Sequence, residues 1–382
     1  MNRIYLDHAA TTPVRPEVVE AMLPHFTANG YNPSSLHAEG RRARAALDAA
    51  RASVARSLGA RPREIVFTGS GSEADNLAIV GAARARRERG RHVVTTAVEH
   101  HAVLHACGLL RDDGWEITEL PVDSGGRVAP DAFAAALRPT TTLASIVMVN
   151  NELGTRNPIA ELAAIARARD VTFHTDAVQA TLVEIDAGAL GVDLLSLSAH
   201  KFYGPKGVGV LYVRGPTPLV PIVAGGGQEG ARRAGTENVA GIAGLARALE
   251  LSVAERSGAA ARIERLRERL ERGLLAALPG AQVHAGAVPR APHVASIALG
   301  AVDGQALLAR LDLEGIAVSA GSACAAGAVE PSHVLVAIGA PDWARTGTVR
   351  FSLGRTTSEE EIESVIARVP KIVASVGEMV EQ

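Results

Sequence analysis

Short apolar runs alternate with longer segments of helical periodicity through the first two thirds of the chain. The apolar runs predict strands at 64–69, 92–97, 143–149, 171–176, 193–198 and 207–213. The helical periodicity between them predicts helices at 72–87, 100–111 and 159–169. Such alternation is typical of an α/β fold, in which a mostly parallel sheet is covered by helices.

The pattern changes toward the C-terminus. Ile263, Leu266, Leu270 and Leu274 repeat along one helical face until the sequence LPG ends the helix. We interpret this helix as the start of a second, smaller unit. The unit continues with the apolar runs HVASIAL and GTVRFSL, a helix near 304–313 and an amphipathic helix at 358–376, and the N-terminal dozen residues are grouped with it.

Composition and charge narrow the functional classes. The 382 residues are 47% apolar, carry a net charge of −2 and include two cysteines. No uncharged apolar stretch reaches the roughly eighteen residues that a membrane helix needs. The weak net charge argues against direct binding of nucleic acid or membranes, and the N-terminus lacks the pattern of a secretory signal. We therefore expect a cytoplasmic protein whose cysteines stay reduced.

Lysine is rare in this chain. Almost every basic residue is arginine, and the only lysines are Lys201, Lys206 and Lys371. The first two lie together in SAHKFYGPKG. An amine can form a Schiff base, whereas a guanidinium stays protonated and cannot. The cluster therefore indicates a nucleophilic lysine, with chance clustering as the alternative.

Polar residues follow the predicted strands at the edge where ligands gather in open α/β sheets. These residues are Ser72, His100, Asn151, Asp176 and Lys201. Lys201 follows a buried strand, where desolvation lowers the pKa of a lysine. Asp176 ends another strand, where a carboxylate could pair with a protonated pyridine nitrogen. Together these two residues indicate pyridoxal phosphate.

The stretch TGSGSEADN could bind the phosphate of that cofactor. Gly69 and Gly71 would let the backbone approach closely, and Ser72 begins the next helix at its positive end. The alternative is an ordinary helix cap. The glycine-rich segment 225–238, with Arg232 and Arg233, is either a second anion site or a flexible connection.

Several side chains near the predicted sheet edge have two readings. His100 could stack on a ring and move protons, or simply cap its helix. His101, His105 and Cys107 could instead bind zinc, although a second ligand pair is missing from the pattern. Gln179 could bind the phenolic oxygen of the ring or be a surface amide.

Arg350 and Cys324 have two readings as well. Arg350 lies on an apolar strand and needs a carboxylate partner, either in the protein or in the substrate. Cys324 lies in VSAGSACAAGAVEPS, among residues with very small side chains. Such residues pack poorly and leave the backbone many conformations. We therefore interpret this segment as a mobile loop that carries a nucleophile.

Motifs along nearly the whole chain resemble one family, the cysteine desulfurases of the nitrogenase and iron-sulfur-cluster type. The motifs are YLDHAATTP, NPSSLH, EIVFTGSGSEADNLAI, VEHHAVL, VNNELG, HTDAVQ, SLSAHKFYGPKGVG, GGGQEGARRAGTEN, SAGSAC, EPSHVL and VRFSLGR. The resemblance implies a fold-type-I pyridoxal phosphate enzyme. It further implies a large domain at 14–257 with a mostly parallel seven-stranded sheet flanked by helices. A smaller α+β domain at 1–13 and 258–382 would carry the catalytic cysteine loop.

The resemblance also assigns roles to residues. Lys201, Cys324 and His100 would be catalytic. The cofactor would be held by Gly71, Ser72, His100, Asn151, Asp176, Gln179, Ser198, His200, Lys201 and Thr236, with Thr236 donated by the partner subunit of a homodimer. The substrate would be bound by Asn32, Asn151 and Arg350. No resident metal is implied, although Cys324 could transiently ligate a cluster.

The implied reaction converts L-cysteine to L-alanine. Lys201 would take the Cα proton, His100 would accept a proton from the incoming thiol, and the Cys324 thiolate would capture the sulfur as a persulfide. An acceptor protein would then receive the sulfur for iron-sulfur clusters, thio-cofactors or tRNA.

Other readings stay open at this point. SAGSAC resembles the longer-loop type, which implies direct delivery to a scaffold, yet the chain ends at Gln382 without the C-terminal tail that some relatives use for docking. The rival functions are a selenocysteine lyase, a small-substrate aminotransferase, and a non-catalytic metal-binding or sulfur-carrier protein.

Overall fold

A seven-stranded sheet forms the centre of the larger unit in the computed structural model, which describes residues 3–320 and 331–380. Its strands are β2 (Ile65–Thr68), β3 (His92–Thr96), β4 (Glu116–Leu120), β5 (Thr141–Ser145), β6 (Thr172–Asp176), β7 (Leu194–Ser198) and β8 (Gly209–Val213). Their order in the sheet is β2-β8-β7-β6-β5-β3-β4. Strands β3 to β7 pair in parallel, and β8 is antiparallel to both of its neighbours. The predicted α/β fold with a mostly parallel sheet of seven strands is therefore confirmed.

Helices cover both faces of this sheet because each presents an apolar stripe to it. One core contains Leu47 of α2 and Leu162 of α7, and the core on the opposite face contains Leu77 and Leu110. The helices are α1 (Pro16–Met22), α2 (Ala38–Ser57), α3 (Gly71–Asn76), α4 (Ala82–Ala85), α5 (His101–Asp112), α6 (Pro130–Ala136), α7 (Ile159–Ala168), α8 (Ala187–Leu190) and the distorted turn α9 (Gln228–Ala231). A π-helical turn, Leu77–Gly81, joins α3 to α4, so the helical path from Gly71 to Ala85 is continuous.

The smaller unit has its own core and two small sheets. Strand β10 (Val294–Ala298) pairs antiparallel with β12 (Thr348–Ser352) and β9 (Gln282–Val283). Strand β1 (Ile4–Tyr5) pairs in parallel with β11 (Ile316–Ala317), so the N-terminal residues do join this unit. Its helices are α11 (Gly304–Leu313), α12 (His333–Ala337), α13 (Asp342–Thr346) and α14 (Glu359–Val380).

One long helix, α10 (Val239–Ala277), connects the two cores. Ile242 and Leu245 pack in the core of the large unit, whereas Ile263 and Leu270 pack in that of the small unit. The sequence predicted a helical face from Ile263 to Leu274; this face belongs to one helix of 39 residues that begins at Val239. The domain boundary that we predict at 257/258 therefore falls inside a continuous helix.

Two strands of the large sheet differ clearly from the prediction. Strand β4 was not predicted, because it lies at a sheet edge, carries the exposed Glu116 and Glu119, and has one buried residue, Leu120. Strand β5 ends at Ser145 rather than at Val149. Residues 146–149 continue the apolar run because they are buried in the core beyond the strand. No helix within the described ranges is both long and apolar enough to cross a membrane.

Candidate active site

A cavity of about 200 Å³ opens at the carboxyl ends of the parallel strands. This is the edge at which open α/β sheets bind ligands. Ten of the residues singled out in the sequence line it. They are Gly71, Ser72, His100, Asn151, Asp176, Gln179, Ser198, His200, Lys201 and Arg350.

Lys201 lies directly after β7, in a short 3₁₀ turn. Its Nζ donates to the carbonyl oxygens of Ala9, at 2.6 Å, and Ala10, at 2.9 Å. Residues of the N-terminal segment therefore hold the amine at the cavity. The neighbouring His200 contacts Thr11 Oγ1 through Nδ1 at 3.1 Å. Burial, followed by the charge of Lys201, lowers the pKa of His200 to about 4.

Asp176 is the last residue of β6 and Gln179 follows the strand; both are buried. The Asp176 carboxylate accepts a hydrogen bond from the backbone N–H of Val178 at 2.8 Å. Burial raises the pKa of Asp176 to about 6, and the charge of Lys201 opposes that rise. Gln179 Nε2 donates to the Ala9 carbonyl at 2.7 Å. The surface-amide reading of Gln179 is therefore wrong.

The turn between β2 and α3 approaches the cavity closely. Ser70 Oγ caps α3 by accepting a hydrogen bond from the N–H of Glu73 at 3.0 Å, so this turn does contain a helix cap. Gly71 has a second constraint, because a Cβ there would lie 2.9 Å from Val178 Cγ2 and 3.1 Å from Ser198 Cβ. Only glycine lets this backbone lie against β7 without displacing its neighbours.

His100 is the N-cap residue of α5, and its Nδ1 accepts the N–H of Ala102 at 3.1 Å. It therefore caps its helix and lines the cavity at once. Burial, followed by the charge of Lys201, lowers the pKa of His100 to about 4. The imidazole is thus neutral at ordinary pH, with its proton on Nε2 because Nδ1 is an acceptor.

The zinc reading does not fit the positions of its proposed ligands. His101 lies beside His105 and His333, at ring-centroid distances of 5.4 and 4.7 Å. Cys107 instead packs in the apolar core beneath α5, where burial raises the pKa of its thiol to about 12. Across residues 3–320 and 331–380, no group of three or more potential ligands is arranged to hold a metal ion.

Arg350 lies on β12 of the small unit and is almost completely buried. Its Nη2 pairs with Asp7 Oδ1 at 3.0 Å, and Nη1 donates to the carbonyl of Asn151 at 2.9 Å. The third guanidinium nitrogen, Nε, has no hydrogen-bond partner among the described residues. Arg350 therefore has a structural ion pair and also faces the cavity.

Two predicted residues do not lie in this cavity. Asn32 is exposed and accepts the N–H of Ser34 at 2.8 Å. Thr236 is exposed and borders a separate cavity beside Gly69. Cys324 lies outside the described residues.

Ion pairs connect the segment 225–238 to helices α2 and α3. Arg233 Nε pairs with Glu73 at 2.8 Å, and Glu229 forms a bidentate pair with Arg51, both contacts at 2.7 Å. Arg232 donates to the backbone carbonyl of Arg63. These arginines are thus used within the protein, which argues against the reading of the segment as a second anion site.

Sequence reasoning missed two contributions to the cavity. Asp75 lines it from α3, although SEADN has the composition of an exposed helix start. Ala9 and Ala10 contribute backbone carbonyls, which leave no signal in side-chain chemistry. The helical periodicity of α3 could have revealed Asp75, because it places this residue on the same face as the buried Gly71 and Ala78.

Comparison with curated proteins gives close relatives along the whole chain. The cysteine desulfurase IscS of Methanosarcina thermophila is 46% identical over 377 residues, which cover 98% of this chain and 93% of the relative. The cysteine desulfurase NifS of Azotobacter vinelandii is 47% identical over 376 residues, with coverage of 98% and 93%.

Solved structures and a family model agree with these relatives. A NifS-like protein superposes with a TM-score of 0.91 at 36% identity and covers 97% of this chain and 99% of its own. The structure of SspA in complex with cysteine gives a TM-score of 0.81 at 37% identity, with coverage of 92% and 98%. The family model for class-V aminotransferases matches residues 4–365. The chain therefore belongs to the class-V aminotransferase family of pyridoxal-phosphate-dependent enzymes, among the IscS and NifS cysteine desulfurases.

Proposed function

We propose that this chain converts L-cysteine to L-alanine and keeps the sulfur as a persulfide on Cys324, from which an acceptor protein receives it. The observation that carries the proposal is the placement of Lys201 at a cavity that Asp176 and His100 also line. The amine of Lys201, the buried carboxylate of Asp176 and the flat imidazole ring of His100 together suit a pyridoxal cofactor. The similarity to cysteine desulfurases supplies the substrate class.

The residues at the cavity fit pyridoxal 5'-phosphate. Asp176 offers a buried carboxylate for the pyridine nitrogen, and Gln179 offers an amide near the phenolic oxygen. The glycine backbone at Gly71 and the hydroxyls of Ser72 and Ser198 offer phosphate donors at the start of the continuous helical path 71–85. When bound, the cofactor supplies an electron sink for the electrons released at the substrate Cα.

The other cofactor assignments follow from the same wall of the cavity. Asn151 and His200 line it together with Lys201. In the proposed site Asn151 lies beside both ring and substrate, and His200 adds a donor for the phosphate. Thr236 would complete the phosphate site of the neighbouring subunit, since it lies outside its own chain's cavity.

Lys201 and His100 move protons in the proposed reaction. Lys201 takes the proton from the substrate Cα, because its amine is the base held at the cavity by the Ala9 and Ala10 carbonyls. His100 carries its proton on Nε2 while Nδ1 accepts from Ala102. To take the proton of the incoming thiol, this imidazole must first shift that proton or release the Ala102 contact.

Arg350 binds the substrate carboxylate in this proposal, with help from Asn32 and Asn151. The guanidinium is desolvated, and its Nε lacks a hydrogen-bond partner within the described part of the chain, so a carboxylate would satisfy it. Asn32 is exposed in the single chain, so this assignment needs either a movement of its segment or the partner subunit.

Cys324 receives the sulfur. Its thiolate attacks the substrate sulfur, and the Cβ–S bond breaks with its electron pair staying on carbon. Cβ then takes up a proton, and Cα regains the proton that Lys201 removed, which leaves alanine. The chain's other thiol, Cys107, cannot share this role, because it is buried in the core and its thiol pKa is raised to about 12.

We further propose that the enzyme is a homodimer. Large apolar side chains are exposed along one segment, at Leu23, Phe26, Tyr31 and Leu36. An exposed apolar cluster of this kind is typical of a protein interface. The segment also carries Asn32, so a second copy seated there would cover the apolar residues and bring Asn32 toward an active site.

The acceptor of the sulfur is the remaining part of the proposal. We propose a cytoplasmic enzyme that delivers sulfur to a scaffold for iron-sulfur clusters, or to proteins that make thio-cofactors or thiolated tRNA. The names of the curated relatives support the desulfurase reaction, and capture of persulfide acceptors would identify the pathway.

The decisive experiment follows sulfur from labelled L-cysteine in three variants. Cys324→Ser should abolish persulfide formation and most alanine production, whereas Cys107→Ser is the matched control and should keep both. Mass spectrometry should place the added sulfur on Cys324.

Lys201→Ala should lose the visible absorption of the lysine-bound cofactor. Full production of alanine and sulfide by Cys324→Ser would contradict the role of Cys324 and favour the selenocysteine lyase. A wild-type protein that gains no absorption with pyridoxal phosphate would favour the carrier reading.

A further inference from the structure

A chain of four buried polar side chains lies beneath the cavity. It begins at Asp75, continues through Ser196 and His174, and ends at Ser145. His174 contacts Ser145 Oγ through Nδ1 at 2.8 Å and Ser196 Oγ through Nε2 at 3.0 Å. Ser196 also hydrogen-bonds the carboxyl group of Asp75. All four residues are at most 1% exposed, and neither the substrate nor the cofactor assignments above use them.

The head of this chain faces the proposed cofactor site. Asp75 lines the cavity, and its Oδ1 has no hydrogen-bond partner in the described ranges. This atom lies 3.7 Å from His174 Nε2. Because both groups are fully buried and burial lowers the pKa of His174 to about 3, the imidazole is neutral and offers no positive charge.

Asp75 interacts electrostatically with two other buried carboxyl groups, Asp176 and Glu99, and we call these three residues the carboxyl layer. Their mutual repulsion opposes the ionisation of all three. Burial and the charge of Asp176 raise the pKa of Asp75 well above its usual range, although the hydrogen bond with Ser196 acts in the opposite direction. Burial likewise raises the pKa of Glu99 to about 8, although Glu99 accepts hydrogen bonds from Val147 N–H and Thr96. Repulsion between buried carboxylates is relieved when the less stabilised groups keep their protons.

Asp176 is the member of this group best placed to be the anion. It accepts a backbone N–H, and the charge of Lys201 favours its ionised form. Of the other ionisable groups at the cavity, Arg350 is a cation that pairs with Asp7. His100 and His200 have pKa values lowered to about 4 and contribute no positive charge.

We propose that Asp75 is a positioning residue of the cofactor site: as a protonated acid at the head of the chain Asp75–Ser196–His174–Ser145, it leaves the negative charge of this layer on Asp176. The inference rests on the proposed function, in which Asp176 pairs with the pyridine nitrogen. A second carboxylate beside Asp176 would share that charge and compete for the same proton.

The direction of the hydrogen bond between Asp75 and Ser196 sets the directions along the whole chain. If Asp75 donates to Ser196 Oγ, which only its protonated form can do, Ser196 donates to His174 Nε2, and His174 donates from Nδ1–H to Ser145. If Asp75 accepts from Ser196, Ser196 must in turn accept from His174 Nε2–H. The tautomer of His174 therefore shows whether Asp75 is the protonated donor that the proposal requires.

The test measures that tautomer by NMR of the full-length protein labelled with ¹⁵N-histidine, first without and then with pyridoxal phosphate. His174→Asn identifies the signal. The Nδ1–H tautomer is expected in wild type and in Asp75→Asn, whose amide can donate to Ser196 as the protonated acid does. The Nε2–H tautomer in wild type would overturn the proposal.

A titration of the apoprotein with pyridoxal phosphate supplies the second readout. Asp75→Asn should bind within about threefold of wild type, whereas Asp75→Leu, which cannot donate, should bind about tenfold more weakly. Asp176→Asn is the reference for loss of the anion. Asp75→Asn binding as weakly as Asp176→Asn would show that Asp75 carries charge and would refute the inference. If wild type itself fails to bind the cofactor, the proposed function fails, and the tautomer still decides the state of Asp75.

Discussion

Replacing Arg350 by alanine separates two roles that the structure assigns to the same guanidinium. The side chain is buried, pairs with Asp7 and donates to the Asn151 carbonyl, and it also borders the cavity. If it binds the substrate carboxylate, Arg350→Ala removes a charge-assisted hydrogen bond of about 1.5–3 kcal/mol. Since each 1.4 kcal/mol is a factor of ten, the KM for L-cysteine should rise roughly 10- to 150-fold.

The same substitution has a structural cost. Asp7 would lose its ionic partner and the Asn151 carbonyl would lose its donor, and removal of one member of a buried pair costs about 3 kcal/mol of unfolding free energy. Asp7→Asn is the matched control. It breaks the ion pair and keeps the guanidinium, so it should lower stability while leaving the KM near the wild-type value.

The assay is the initial rate of alanine formation against L-cysteine concentration, with cofactor-loaded protein, well below each variant's unfolding midpoint. Denaturant unfolding of the same preparations supplies the stability difference. Arg350→Lys keeps the charge and loses the planar fork, so its KM should lie between those of wild type and Arg350→Ala. The substrate role of Arg350 is wrong if Arg350→Ala and Asp7→Asn lose similar stability and both keep the wild-type KM.

Three further predictions concern the cofactor turn, the buried imidazole and the 225–238 segment. Gly71→Ala places a methyl group 2.9 Å from Val178 Cγ2, and the strain of about 1–3 kcal/mol should weaken cofactor binding in a fluorescence titration roughly 5- to 150-fold. An undiminished affinity would show that the turn can shift. Because the pKa of His174 is lowered to about 3, the unfolded chain binds a proton that the native state excludes, and stability should fall as the pH drops from about 6.5 toward 3. His174→Asn should make that slope shallower by about 1.4 kcal/mol per pH unit, and an equal slope in urea unfolding series would contradict the assignment. Glu229→Ala breaks the bidentate pair with Arg51 and should cost about 3 kcal/mol in urea unfolding, so a loss below about 1 kcal/mol would mean that water replaces the carboxylate.

The sequence predicted the strands of the large sheet because each central strand is buried on both faces. Such strands are continuous apolar runs, as at Leu194–Ser198 and Gly209–Val213. Strand β4 was not predicted, because it is not buried on both faces. It lies at the sheet edge, where Glu116 and Glu119 face solvent, and its pattern of exposure resembles that of a loop.

The site could be predicted in part, because strand ends of a parallel sheet converge at one edge. This rule predicts that His100, Asp176 and Lys201 lie together, and all three line the cavity. It could not place Asn32 or Thr236, which lie in connections whose course depends on contacts distant in the sequence. Both are exposed in the single chain, so their proposed roles depend on a second copy.

The N-terminal segment makes the two units depend on each other. Leu6 is held in the small unit by a backbone hydrogen bond, in which its N–H donates to the Ala317 carbonyl oxygen at 2.9 Å. The residues that follow reach back to the large sheet: the Ala9 carbonyl accepts from both Lys201 and Gln179. Asp7, in the same segment, pairs with Arg350 of the small unit.

A shift of the small unit would therefore disturb the amine, the amide and the guanidinium together, since one short segment contacts all three, through the Ala9 carbonyl and the Asp7 carboxylate. Each unit supplies groups that the other must hold in place. It follows that the site forms only when both units are folded and packed against each other, and that a substitution weakening the anchor at Leu6 acts on cofactor and substrate binding alike.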